Sequence, residues 1–266
     1  MNLYKEAARL SAENVPFSIA IIIESKGSTP RHTGKMIVLE DRRIIGTIGG
    51  GFAEKFVIDE AVKAIKEDKS RIVEYKLNSD IKDGIPMLCG GNLKVFIEVN
   101  KRRPRLVLLG GGHVNYALSK FAALLDYELI VVEDREEFGN KERFPTAKEL
   151  YVNADITAAV EKVIIDNNTY IIIATKDADE KSLRKVIDSE AAYIGVIGSR
   201  RKAKIIMKHL EDDKFDTGRF ERLHLPIGLD IGSETPEEIA VSILAEIMKV
   251  KSEATGKSFT DLMQKG

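Results

Sequence analysis

The chain has 266 residues, 44% of them hydrophobic, with one cysteine, no tryptophan and a formal net charge of −1 from 41 basic and 42 acidic residues. That length suits two modest cores, since domains usually run about 100 to 200 residues. Charges of both signs are interspersed throughout, so no basic footprint marks a nucleic-acid or anionic-membrane binder, and neither partner is expected.

Apolar runs such as Ile19-Ala20-Ile21-Ile22-Ile23 fall far short of the roughly 20 residues of a membrane helix. The amphipathic start MNLYKEAARLSAEN carries acids and does not read as a signal sequence, so a cytoplasmic protein is expected. Cys89 has no disulfide partner, and four histidines without a Cys-x-x-Cys or His-x-x-x-His pair predict no structural zinc.

In chain order, Leu3, Ala7, Leu10 and Ser11 begin a helix, and Phe17 to Ile23 is a β-branched run that predicts a buried strand. SKGSTPRHTGK is turn chemistry, with Ser28, Thr29 and Arg31 offering hydroxyls and a guanidinium on a long loop. Met36–Leu39 and Ile44–Ile48 predict two strands around a polar turn. Gly49, Gly50 and Gly51 then open a helix whose apolar face is Ala53, Phe56, Val57, Ala61, Ala64 and Ile65. Ile72–Leu77 and Leu93–Val99 predict two further strands around NSDIKDGIPMLCGG, where Cys89 precedes Gly90.

NKRRPRL marks the boundary, giving a mixed α+β domain over 1–101 and a second domain over 102–266. In the second, strands at Arg105–Leu109, Leu129–Val132, KELYV, Tyr170–Ala174 and Ala192–Ile197 alternate with helices at 114–125, 155–164, 180–187 and 199–210. This rhythm predicts a Rossmann-like, doubly wound parallel sheet. Thr235-Pro236-Glu237-Glu238 is a capping box opening a C-terminal helix.

Three strand ends carry candidate chemistry. Gly110-Gly111-Gly112-His113 follows a strand and opens a helix, an arrangement that points amides at a phosphate or, on the plainer reading, makes a tight turn. Asn115 stands where a dinucleotide fingerprint has Gly or Ala. Asp134 ends the next strand at the ribose position, and pairing with Arg135 is the alternative. Gly198, Ser199, Arg200 and Arg201 form either an anion clamp or an ordinary helix cap. At the first glycine turn, Glu54 either complements its helix dipole or meets a ligand donor.

These motifs have a common source. GSTPRHTGKM, GTIGGG with Glu54, CGG, GGGHV, EDR with RFP downstream, IGSRRK, PIGLDIG and TPEEIAVSILAEI occur in the order seen in the xanthine dehydrogenase accessory factor family (XdhC/CoxI), which the chain resembles over about residues 10 to 250. The resemblance implies a maturation factor, not itself an enzyme, that binds the molybdenum cofactor as cargo and protects it while the metal acquires its sulfur. Delivery to an apo molybdenum hydroxylase of the xanthine dehydrogenase type would follow. It also implies a homodimer, a cysteine desulfurase as a further partner, and two glycine turns gripping one elongated anionic ligand. Cys89 would then be the thiol near molybdenum, because Phe52 stands where many relatives carry cysteine, while Lys176 replaces a frequent histidine. An NAD(P)-dependent oxidoreductase or a nucleotide-binding regulator is the alternative.

Overall fold

The computed structural model describes residues 2–263 apart from 28, 30 and 78–90. The chain divides into two compact units, Met1–Arg102 and Arg103–Gly266.

The first unit is built on an antiparallel sheet. Strands β1 (Phe17–Gly27), β2 (Lys35–Leu39), β3 (Ile44–Thr47), β4 (Arg71–Leu77) and β5 (Gly91–Asn100) pair in the order β3-β2-β1-β5-β4. Alternation sends successive side chains to opposite faces. Ala20, Ile22, Met36 and Val38 pack with Ala53, Val57, Ala61 and Ala64 of helix α2 (Gly51–Glu67). Phe17, Ile37 and Leu39 pack instead with Leu10 of α1 (Leu3–Ala12). The unit therefore has a helix on each face of one sheet.

The second unit carries a parallel sheet of β6 (Arg105–Leu109), β7 (Glu128–Glu133), β8 (Glu149–Val152), β9 (Thr169–Ile173), β10 (Tyr193–Val196) and β11 (Leu223–His224). Their order, β11-β10-β9-β6-β7-β8, is that of a doubly wound nucleotide-binding sheet. Every residue of β7 and β9 is buried, as expected of strands covered on both faces. Helices α4 (Ile156–Val160), α5 (Asp179–Val186) and α6 (Arg200–Asp212) cover one face. Helices α3 (His113–Leu124) and α7 (Pro236–Ser252) cover the other. The predicted capping box is present on α7, Thr235 and Glu238 each accepting from the other's backbone N–H.

Two expectations are corrected. The helix expected over 155–164 is only Ile156–Val160, because the chain then tightens into turns, Lys162 donating to Ala159 and Val163 to Val160, that carry Val163 into the core. A sixth parallel strand, β11, follows a short 3-10 helix at Thr217–Arg222, and neither was expected. A last helix, α8 (Phe259–Met263), buries none of its residues. No helix among the described residues is long and apolar enough to cross a membrane.

Candidate functional site

In an open parallel sheet the ligand crevice lies outside the carboxyl ends of the strands, where the strand order reverses. Here the reversal falls between β6 and β9, and Gly110 to Gly112 occupy the turn directly after β6. The first two glycines are fixed by packing. Gly110 has φ +99, and a Cβ on it would lie 2.3 Å from the Ala174 carbonyl oxygen after β9. A Cβ on Gly111 would lie 2.5 Å from the Phe138 carbonyl oxygen. Around Gly112, by contrast, the nearest atom to a Cβ would be the Ala174 oxygen at 3.9 Å. His113 opens α3 and is exposed.

Asn115 explains its own departure from the fingerprint. Its Nδ2 donates to the carbonyls of Leu109 at 3.1 Å and Gly110 at 2.7 Å, tying the turn to the strand it leaves. Its Oδ1 is buried without a hydrogen-bond partner among the described residues.

The residue that dominates this turn was not singled out from the sequence. Glu133, the last residue of β7, is 1% exposed, and its Oε2 accepts the Gly111 N–H. Its Oε1 accepts from the Arg135 N–H at 3.1 Å and from Arg135 Nε at 3.0 Å. Asp134 lies half-exposed beside it and accepts from Arg135 Nε at 3.2 Å, which realises the pairing left open above. Burial and the neighbouring Asp134 push the Glu133 carboxyl above its ordinary value, against Gly111 and Arg135. Asp134 is correspondingly held low by its hydrogen bond with Glu133. A second missed residue is Arg143, of the RFP motif. Its Nε donates to the Gly111 carbonyl at 3.0 Å, and its guanidinium stacks 4.4 Å from the Tyr116 ring centroid. Phenylalanines on both sides of an arginine in EEFGNKERF were the available signal.

The ends of β9 and β10 come together around Asp179. This buried acid accepts the Thr175 N–H at 2.8 Å and the Thr175 hydroxyl at 2.5 Å, and pairs with Lys202 of α6. Gly198 ends β10, and Ser199 caps α6 by accepting from the Lys202 N–H at 3.2 Å. Arg200 is exposed. Lys176, Asp177, Ser199, Arg201 and Lys202 line a shallow depression of about 450 Å³ here.

In the first unit, Gly49, Gly50 and Gly51 have φ +131, +78 and +70, conformations that favour glycine. Glu54 fills their turn. It accepts from the Thr47 hydroxyl, from the Ile48 N–H at 3.0 Å and from the Gly50 N–H at 3.2 Å. Burial alone would raise its carboxyl, but Thr47 and the amides of Ile48, Gly50 and Gly49 outweigh that and hold it low. Thr29 bonds Ser25 at 2.6 Å and donates to the Arg31 carbonyl at 3.1 Å, and Arg31 is exposed. That loop returns against the first turn, since a Cβ on Gly34 would lie 2.9 Å from the Ile48 Cα. Ser28, Cys89 and Gly90 lie outside the described residues.

Residues 106–247 match the XdhC Rossmann domain, and residues 10–76 match the XdhC and CoxI family. The chain belongs to that family. It is 42% identical over 256 residues to the uncharacterized protein YqeB of Escherichia coli (strain K12), covering 96% of this chain and 47% of that one. Similarity to a probable xanthine dehydrogenase subunit of Bacillus subtilis (strain 168) is 30% over 165 residues, 59% of this chain and 46% of that one. The chain thus spans about half the length of these two relatives. It is also 21% identical over 269 residues to the molybdenum cofactor insertion chaperone PaoD of E. coli (strain K12), covering 88% and 83% of the two chains. A crystal structure of a xanthine dehydrogenase from Bacillus halodurans has the same fold, with TM-score 0.51 and 22% identity over 97% of this chain and 98% of that one.

Proposed function

We propose that this family member is a molybdenum cofactor maturation factor, which binds the cofactor as cargo and delivers it in sulfurated form to an apo-hydroxylase of the xanthine dehydrogenase type. The observation that carries the reading is similarity to a molybdenum cofactor insertion chaperone along most of both chains. The chemistry of the parallel-sheet unit is compatible with it. A pterin tail ending in phosphate needs amides, hydroxyls and cations, and the carboxyl edge offers Gly112, Thr175, Lys176, Ser199, Arg200 and Arg201. No group of three His, Cys, Asp or Glu among the described residues could hold a metal. Recognition through the pterin and its phosphate is therefore the proposed mode, with Cys89 as the thiol facing the metal. A cytoplasmic homodimer working beside a cysteine desulfurase belongs to the same reading.

Anaerobic titration with molybdopterin released from a hydroxylase tests it, run beside a titration with NAD(H). Tight pterin binding is expected. NAD(H) binding with none of the pterin would replace this reading by the second one, a nucleotide-binding unit, which the strand order and the turn at the reversal point favour. Cys89→Ser is expected to keep the fold and to impair cofactor delivery in an apo-hydroxylase reconstitution assay. Delivery at the wild-type level would take the thiol out of the mechanism.

A further inference from the structure

We propose that Glu133 is an intramolecular occupant of the second glycine turn, so that a phosphate diester reaches Gly111 only by displacing its carboxylate. The inference rests on reading this turn as an anion seat and concerns how the seat is regulated. A carboxylate oxygen and a non-bridging phosphate oxygen are equivalent acceptors of the same charge, and one N–H in a low-dielectric turn does not serve both. Glu133 already holds that N–H, and its other oxygen is fixed by two donors of Arg135.

The remaining polar group of Gly111 is taken as well. Arg143 donates to its carbonyl, with the guanidinium stacked on Tyr116 and near Phe138. The Phe138 carbonyl fills the place of a Gly111 side chain, so the connection from β7 to β8 lies directly on the turn. One residue on, the space around Gly112 is open. A phosphate thus has room beside the turn but finds its first donor engaged. A purely structural bond at this point would be served as well by an uncharged acceptor, whereas a buried carboxylate next to Asp134 carries an electrostatic cost.

Calorimetric titration of the whole chain with NAD+ tests this, because its pyrophosphate is a diester of fixed charge. Glu133→Gln keeps the acceptor and removes the charge, while Glu133→Asp keeps the charge and withdraws it by one methylene. Both are expected to bind NAD+ at least about tenfold more tightly than wild type, with the Gly111 amide resonance moving on binding. Melting curves establish that each variant is folded, and Glu133→Asp decides the matter where Glu133→Gln does not fold. No gain in either folded variant overturns the proposal. So does a wild-type titration in which NAD+ moves the Gly111 amide while the Glu133 carboxyl carbon resonance stays in place. Molybdopterin binding by wild type alongside either failure would remove the occupant and leave the cargo reading standing.

Discussion

At the first glycine turn the acid that takes the amides is Glu54, four residues beyond Gly50 on the very helix it caps. At the second it is Glu133, arriving from a strand 22 residues beyond Gly111. Both helices start from a glycine N-cap that has no side chain to offer, Gly50 for α2 and Gly112 for α3, so each turn borrows a carboxylate. The local acid collects a hydroxyl and several amides and is held low. The distant one takes one amide of its turn, shares space with Asp134 and is pushed high. A carboxylate that is well satisfied is a helix cap. One that is buried beside another acid is held in place by the chain around it and is the easier of the two to displace.

The largest expected effect separates the turns by packing. Gly110→Ala combines a left-handed φ with a Cβ driven into the Ala174 carbonyl, and should cost about 3 kcal/mol or more in urea unfolding. Gly50→Ala meets nothing within 4 Å, so only its backbone conformation is penalised, at about 1–2 kcal/mol. Equal costs would show that the second turn relaxes freely and that its close approach to β9 is not restrictive.

Next comes the cap itself. Glu54→Ala leaves the Ile48 and Gly50 amides and the Thr47 hydroxyl without their acceptor. A loss of about 1–2 kcal/mol is expected, read from the unfolding of the first unit. A change within about 0.3 kcal/mol would place those donors in water already.

The pH dependence should differ in sign between the two acids. Glu54 is held below its unfolded value, so its contribution is present above about pH 4.3 and fades as pH falls through the folded value. Glu133 is raised, so its contribution is complete below about pH 4.3 and is lost as pH rises through the folded value. The stability difference between wild type and Glu54→Gln should therefore grow with pH, and that between wild type and Glu133→Gln should shrink. Parallel curves would mean that Glu133 is as well satisfied as Glu54 and is no displaceable occupant.

This contrast also explains what could be read in the sequence. Glu54 was visible because a cap and its helix share one short stretch, and β1, β6, β7 and β9 were visible because β-branched runs mark buried strands. Glu133 was not, since counting along the chain selects the acid just past the strand, Asp134, and nothing local says which neighbour turns inward. Arg143 acts through rings brought from α3 and from its own loop, a conjunction that only the folded sheet creates. Strand β11 has two residues, too few to carry any periodicity.

The smallest effect concerns Asp134 and sharpens the comparison most. Its side chain is 37% exposed and its partner Arg135 36%, so Asp134→Asn should change stability by no more than about 0.5 kcal/mol. Removing this acid also removes a neighbour that raises Glu133, so the pH at which the Glu133 contribution fades should move down. In the Glu133→Gln background the same substitution tests the ribose position directly. A drop of about tenfold in NAD+ affinity would mean that Asp134 leaves Arg135 for a ligand hydroxyl, and an unchanged affinity would mean that the acid serves only the pair. Either result assigns the two adjacent carboxyls separate duties, one inside the turn and one at its rim, which the first turn manages with a single glutamate.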